Sequence, residues 1–489
     1  MDRISELPKE ILQRILYFLS QEDVVRTSLL SKSWRYIWCS RPNLVFSDKN
    51  VYFQGKKQEF LSVVDETLQR YCDRRLRLED FHLCMSDRDS LSLLDKWIAE
   101  LATMGVKDFC LHILRENSCR VIVDLPVVLE AESLKVLWLH YCDLGRNIPE
   151  NITFVRLQLL HLKNALIVQE IFDKIISSCT LITTLWLKDC KGLKTIKLEK
   201  NLHKYLKHFT FVNNAIYRKD ERNVEIDAPA LEKVTIYGSK VRFHYRKLRN
   251  LKYLFLENVD ISSNLVERSR VLCIDAPNME CFDYTGLVVP YVSFAPTSGW
   301  SNIKLCITGH DVDGAPSWFH ILSKFIHALR HSIICLKKFH CSPNNNNLHV
   351  LGQDDDVINV GNRHVVVDDL TLKIGRSSSF TYLLNGLFCI CRPRYVTPHW
   401  FSQENWNKER KVKEARDFFC KIEKTIDSTG NHDIRQYLEG FTFEGFDEFL
   451  LDWQPLQVAT LLESEFVEFR VRLQWSDQHC ESSSKLLES

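Results

Sequence analysis

Six stretches of the chain share one spacing: apolar residues at the first, fourth and sixth places, then a small residue, Asn or Cys three places further on. They are Leu134-Leu137-Leu139-Cys142, Leu157-Leu160-Leu162-Ala165, Ile182-Leu185-Leu187-Cys190, Leu206-Phe209-Phe211-Asn214, Leu231-Val234-Ile236-Ser239 and, ending on Val, Leu251-Leu254-Leu256-Val259. Looser copies stand at Leu78-Phe81-Leu83, Val106-Phe109-Leu111 and Met279-Phe282-Tyr284. The pattern therefore starts near residue 76 and recurs roughly every 20–28 residues. Alternation at the fourth and sixth places is that of a strand with one buried face. Helical spacing intervenes, with Leu94, Trp97, Ile98 and Leu101 on one side of 91–104 and Ile171, Phe172, Ile175 and Ile176 on one side of 169–178. One such unit cannot bury its apolar face alone. Units must stack, which predicts a curved solenoid with parallel strands along its inner face. Ile226-Asp227-Ala228-Pro229, recurring as Ile274-Asp275-Ala276-Pro277, is a second mark of internal duplication.

The same register names the residues that turn away from the core: Trp138 and His140, His161 and Lys163, Trp186 and Lys188, then Thr210, Tyr237, Phe255 and Glu257. A wet sheet face normally carries small polar or charged residues. Two tryptophans are costly to leave in water, and beside cations they are the kind of anchor a partner uses. A C-terminal region folded back over them, or stacking of the rings on each other, would also cover them. The candidate substrate-binding residues on this face are Trp138, His140, His161, Lys163, Trp186, Lys188, Tyr237 and Phe255.

After residue 300 the repeat becomes irregular. Residues 343–362 hold Asn344 to Asn347 and Asp354 to Asp356, a composition that predicts a mobile polar loop. A strand over 365–374, a helix over 380–390 that stops before Pro393, a charged helix over 404–426 and an alternating strand over 466–473 follow.

The first 45 residues differ from all of this. Pro8 suits the first turn of a helix, where its missing N–H is not needed. Ile11, Leu12, Ile15, Leu16 and Leu19 then fall on one face. Ser20 with Asp23 resembles the cap of a second helix carrying Val24, Val25, Leu29 and Leu30. A third short helix, capped by Ser31 or Ser33, holds Trp34, Ile37 and Trp38. Three short helices make a core too small to be secure alone, so the module needs a partner or the domain behind it.

Composition narrows the function classes. Of 489 residues, 45% are apolar and 26% charged, which fits a globular chain and argues against wholesale disorder. Lys and Arg (64) balance Asp and Glu (63), so the basic excess of a phosphate-binding protein is missing and no nucleic-acid partner is expected. No apolar run approaches the roughly 18–20 residues of a membrane span, and the opening Met1-Asp2-Arg3-Ile4-Ser5-Glu6 is too charged for a signal peptide. The 17 cysteines follow no secreted disulfide framework and read as reduced, buried thiols. An intracellular protein is expected, in the nucleus, the cytoplasm or both. The basic run from Lys408 to Lys413 reads as a solvated helix face, with a nuclear signal as the alternative. Gly-rich phosphate loops, His-Glu-x-x-His and Gly-x-Ser-x-Gly do not occur. Cys389 and Cys391, with His399 nearby, read as buried helix cysteines in preference to metal ligands. No enzyme, cofactor or metal is expected.

The N-terminal pattern, Leu7-Pro8-x-Glu10-Ile11-Leu12-x-x-Ile15-Leu16, Val24-Val25-Arg26-Thr27-Ser28 and Leu30-Ser31-Lys32-Ser33-Trp34-x-x-x-Trp38, resembles an F-box over residues 4–44. With the repeats behind it, the chain resembles the plant F-box/leucine-rich-repeat family. That resemblance implies an α/β fold: a short N-terminal three-helix F-box, then a leucine-rich-repeat solenoid, then an α+β C-terminal region. The expected divisions are F-box 1–45, linker and entry helix 46–75, solenoid 76–340, polar loop 341–363 and C-terminal region 364–489. Leu383 to Pro393 is similar to a segment seen in such proteins, while nothing beyond residue 400 matches an FBD-type domain. The implied function is the substrate-recognition subunit of an SCF-type cullin-RING ubiquitin ligase. Its F-box would dock a Skp-family adaptor, and through it cullin, while the repeats hold an unidentified protein substrate. Adaptor contacts are expected at Leu7, Pro8, Ile11, Leu12, Ile15, Leu16, Leu19, Val24, Leu30, Trp34 and Trp38. The alternative is a ligase-independent leucine-rich-repeat scaffold or small-ligand sensor.

Overall fold

The protein is seen in a computed structural model, which describes residues 6–113 with short gaps at 20, 30, 50–52, 54 and 87–90. It goes on to describe 121–122, 132–144, 154–214, 222–243, 248–261, 271–274, 276–286, 291–294, 302–307, 334–337, 365–372, 386–388, 390–398, 408–427, 437–458 and 468–476, with single residues 323, 384 and 466. The chain divides into two units, Met1–Lys240 and Val241–Ser489.

The first unit opens with α1 (Lys9–Tyr17), α2 (Gln21–Ser28) and α3 (Lys32–Cys39). Pro8 stands at the N-cap of α1, and its carbonyl accepts the N–H groups of Ile11 and Leu12. Of the two candidate caps for α3, Ser31 is the one used: its hydroxyl accepts the Trp34 N–H at 3.2 Å. Ser20 lies outside the described residues. Leu12, Leu16, Val24, Trp34 and Ile37 close a small core, with Ile15 and Trp38 packed against it. So little buried area needs support, and the chain behind supplies it. Within the module the Gln13 side-chain amide donates to the Ser40 carbonyl, and from the chain behind it the buried Tyr71 hydroxyl donates to the Arg41 carbonyl at 2.7 Å. Tyr71 belongs to α4 (Lys57–Asp73), whose Phe60, Leu61, Val64 and Leu68 are buried.

The sheet starts one strand earlier than the repeat spacing shows. β1 (Asn43–Ser47) pairs in parallel with β2 (Asp80–Met85), so the end of the expected F-box and the start of the expected linker form the first rung of the solenoid. Parallel strands follow at β3 (Asp108–Ile113), β4 (Val136–His140), β5 (Leu159–Lys163), β6 (Thr184–Lys188), β7 (His208–Val212) and β8 (Lys233–Tyr237). The helices α5 (Leu91–Thr103) and α6 (Gln169–Ser178) lie where helical spacing predicts them. One carbonyl before each rung accepts two N–H groups from the next: Pro42 takes Glu79 and Asp80, Glu79 takes Lys107 and Asp108, Lys107 takes Lys135 and Val136, Lys135 takes Gln158 and Leu159. This repeated fork fixes the register without slippage.

Each template residue does what the spacing demands. Leu137, Leu139, Leu160, Leu162, Leu185, Leu187, Phe209 and Phe211 are buried, and Cys142, Ala165 and Cys190 fill the slot behind them. Immediately after the strand the backbone turns left-handed, at Tyr141, Asn164, Asp189 and Gly238. Asn, Asp and Gly tolerate that conformation, which explains their recurrence there. At Gly238 a side chain is excluded outright, since a Cβ would sit 2.4 Å from the Asn213 carbonyl oxygen. The fourth good copy departs from the template. Asn213, not Asn214, takes the buried slot, while Asn214 turns out and donates from its backbone and side chain to the Asp189 carboxylate, both at 2.8 Å.

In the second unit parallel pairing runs through β9 (Tyr253–Glu257), β10 (Cys281–Gly286), β11 (Asn302–Ile307), β12 (Ile334–Lys337), β13 (Val365–Leu372) and β14 (Cys391–Pro398). An antiparallel group then closes the fold: β15 (Leu438–Asp447) pairs with β16 (Asp452–Leu456) and β17 (Phe469–Trp475), and β17 pairs with β14. The long helix α7 (Lys408–Asp427) buries Val412, Ala415, Phe418, Phe419 and Ile422, with Phe419 on Phe443 at 4.4 Å between ring centres. The expected polar loop lies outside the described residues. So do Cys389 and His399. Cys391 is not in a helix, as its spacing suggested: it opens β14, with Pro393 two places on, and its buried thiol points at the Leu387 carbonyl. Ten described cysteines carry free thiols. Among the described residues no helix is long and apolar enough to cross a membrane.

Candidate functional site

Two surfaces carry side chains that the fold itself leaves unused. The first is on the helical module. The apolar stripe read from the sequence is split by the structure: Leu12, Leu16, Val24 and Trp34 are consumed by the module's own core, and Ile15 and Trp38 line it. Those expected contact residues serve the fold in this chain, because a stripe counted along the helices includes the side that faces inward. Leu7, Pro8, Ile11 and Leu19 are exposed, and Leu30 lies outside the described residues. Tyr17, Phe18 and Tyr36, which the spacing did not single out, join them, as does Leu29, read as an apolar residue of the second helix, with Phe18 74% and Leu29 82% exposed. Seven large apolar side chains are thus exposed around so small a core.

The second surface is the face of the parallel sheet that points away from the core. Its middle column, one residue per rung in direct register, reads His82, Cys110, Trp138, His161, Trp186, Thr210, Thr235. Parallel strands stand about 4.8 Å apart, close to the thickness of stacked rings. Trp138 and His161 accordingly stack with centres 4.1 Å apart and planes 23° apart, and His161 meets Trp186 at 3.7 Å and 34°. The neighbouring column runs Cys84, His112, His140, Lys163, Lys188, Val212, Tyr237. His140 touches His112 at 4.5 Å and His161 at 4.9 Å. Stacking of the tryptophans through His161 is thus part of how they are kept from water, as one of the sequence alternatives had it.

Electrostatics divide this face. At one end Asp80 and Asp108 are register partners. Burial and Asp108 push the Asp80 carboxyl up, and Asp80 in turn raises the Tyr17 phenol of α1. His82 Nε2 lies 3.2 Å from the Asp108 carboxylate, and that contact raises its pKa. Two rungs on, the same residue type behaves in the opposite way. Burial, then His112 and Lys163, lowers His140 to about 4, and burial, then His140 and Lys163, lowers His161 to about 3. His112 is lowered too, chiefly by burial. These imidazoles are neutral. Both ring nitrogens of His140 and Nε2 of His161 are buried without a hydrogen-bond partner. Among the described residues no three His, Cys, Asp or Glu side chains converge to hold a metal ion.

Comparison with known proteins finds matches over both regions of the chain that carry these surfaces. The F-box domain model matches residues 4–46, and the model described as "FBD-associated F-box protein At5g56370, LRR repeats" matches residues 94–252. The chain thus carries an F-box and a leucine-rich-repeat region, and it is similar to plant F-box/leucine-rich-repeat proteins. Among its relatives in Arabidopsis thaliana, "Putative F-box/LRR-repeat protein At3g18150" is 29% identical over 276 residues, covering 56% of this chain and 53% of the relative. "F-box/FBD/LRR-repeat protein At5g44980" is 30% identical over 250 residues, covering 49% and 55%. "F-box/FBD/LRR-repeat protein At1g13570" is 33% identical over 187 residues, covering 37% and 42%. The chain spans about half the length of these relatives.

Within the F-box/leucine-rich-repeat framework, the residues predicted for the inner face occupy it. Trp138, Lys163, Trp186, Lys188 and Tyr237 are half-buried there, and His140 and His161 are buried. Phe255 and Glu257 hold the corresponding outward places on β9 in the second unit. The reading missed Asp80, His82, Asp108, Cys110 and His112. The looser copy Val106-Phe109-Leu111 would have supplied Cys110 and His112 by the same alternation, had it been extended to its outward places.

Proposed function

We propose that this chain is the substrate-recognition subunit of an SCF-type ubiquitin ligase, its F-box docking a Skp-family adaptor and its inner sheet face holding the target protein. The observation that carries the reading is the F-box surface. Its helices close a core with Leu12, Leu16, Val24, Trp34 and Ile37 and still leave Leu7, Ile11, Phe18, Leu19 and Leu29 exposed. A partner that covers them recovers the area that the small module cannot bury alone. The Tyr71–Arg41 contact ties the F-box to α4, which leads into the solenoid, so an adaptor held at one end positions a target held at the other. Ubiquitin transfer itself belongs to the partner enzymes.

The test is binding of the full chain to a purified Skp-family adaptor, wild type against Leu7→Ala/Ile11→Ala, with circular dichroism as the check on folding. Leu7 is 38% and Ile11 46% exposed, so docking buries at most a little under half of each, worth roughly 0.6–1.4 kcal/mol apiece, and the double variant should bind about one to two decades more weakly. Unchanged affinity overturns the docking role.

A further inference from the structure

At the acidic end of the face His82 is partnered by Asp108, but the middle of the face is different. His140 is 8% and His161 9% exposed, yet three of their four ring nitrogens make no hydrogen bond. Leaving a buried donor or acceptor unmade is expensive, so such a group calls for a partner from water, an ion or a ligand. The charge around these rings has one sign. Lys163 stands in register with His140, and Lys188 with Lys163; among the described residues neither lysine makes an ion pair. No carboxylate acts on either histidine, whereas His82 has Asp108 at 3.2 Å.

The shape is equally specific. The Trp138–His161–Trp186 stack ends on small side chains, Cys110 on one side and Thr210 on the other. The outer faces of both indoles are therefore left without a ring in the adjoining rung.

We propose that the patch of sheet face formed by Trp138, His140, His161, Lys163 and Trp186 takes a carboxylate side chain of the target protein, with an adjacent apolar or aromatic residue laid on an indole. The oxyanion accepts from an imidazole N–H and the Lys163 ammonium. The three outward columns of β1 to β8 contain no arginine, so the bidentate forks that favour a phosphate dianion are missing and a monoanion is the better match. This names the target chemistry of the face assigned under the proposed function and rests on that reading.

The experiment uses the full chain and three capped dipeptides: acetyl-Phe-Glu-amide, acetyl-Phe-Gln-amide and acetyl-Phe-phosphoserine-amide. Histidine ring resonances, assigned with His140→Phe and His161→Phe, report where each probe binds. The Glu probe should shift His140 and His161 saturably and bind about tenfold more tightly than the Gln probe, with the phosphoserine probe no tighter than Glu. Lys163→Met should remove the discrimination between Glu and Gln, and His82→Phe should leave it intact. Equal binding of Glu and Gln by the wild-type chain overturns the proposal, as does tighter binding of phosphoserine, or shifts that avoid both histidines. The wild-type comparison needs no variant to fold. Failure here leaves adaptor binding untouched, while failure of the adaptor assay leaves the probe result standing, so the two readings fall separately.

Discussion

Protonating the ring stack should cost this protein stability, and the amount can be worked out. His140 and His161 sit at about 4 and about 3 in the fold, against 6.5 for a free imidazole. Both are depressed, so the unfolded chain binds protons that the fold refuses. Their contribution is fully present above 6.5 and is lost as pH falls toward the folded values. Going from about pH 7.5 to about pH 5, each ring withdraws roughly 2 kcal/mol, and the pair about 4 kcal/mol. His82 runs the other way, because its pKa is raised by Asp108, but it is common to every protein compared. His161→Phe keeps a ring between Trp138 and Trp186 and removes one titration. Urea unfolding followed by tryptophan fluorescence at the two pH values then gives a double difference in which carboxylates cancel. The wild type should lose roughly 2 kcal/mol more than His161→Phe, and about 4 kcal/mol more than His140→Phe/His161→Phe. Parallel losses in all three proteins would mean that the rings protonate inside the fold, and the account of an acid-free, buried stack would be wrong.

Two further outcomes follow from backbone and charge. Gly238→Ala should lower the melting temperature by several degrees, because the residue is left-handed and its Cβ would meet the Asn213 carbonyl at 2.4 Å; Gly105→Ala, also left-handed but with nothing nearer than 4.0 Å, should cost only about 1 kcal/mol of strain. In the second unit Arg470 Nε lies 2.6 Å from the buried Glu444 carboxylate and its guanidinium sits 3.8 Å from the Tyr395 ring centre and 4.0 Å from that of Trp453, so Glu444→Gln should destabilise by about 3–5 kcal/mol in thermal unfolding, and Glu444→Gln/Arg470→Met by clearly less.

The repeat was legible because it is a burial pattern. Leu137 and Leu139, or Leu185 and Leu187, must face one way whatever the partner, and period two does the rest. What the spacing could not show is where a rung begins without a full template. Asn43–Ser47 has only Leu44 and Phe46 buried, and it joins the sheet because the Pro42 carbonyl accepts from Glu79 and Asp80, a contact across more than thirty residues. The exchange of Asn214 for Asn213 has the same origin: either Asn suits the slot, and the Asp189 carboxylate on the preceding turn decides between them.

The site was legible as a row and illegible as chemistry. Sequence alone places Trp138, His161 and Trp186 outward, yet only the parallel register brings them within ring-stacking distance, since a slip of one residue would send each indole into the core. The histidines make the point more sharply. His82 and His161 occupy equivalent places in the same column, and nothing in their immediate sequence tells them apart. One has Asp108 beside it on the next strand and is raised; the other has two indoles and a lysine nearby and is lowered. Cross-strand neighbours, set by rungs some 25 residues apart, decide which imidazole is already satisfied and which still has a hydrogen bond to offer a ligand.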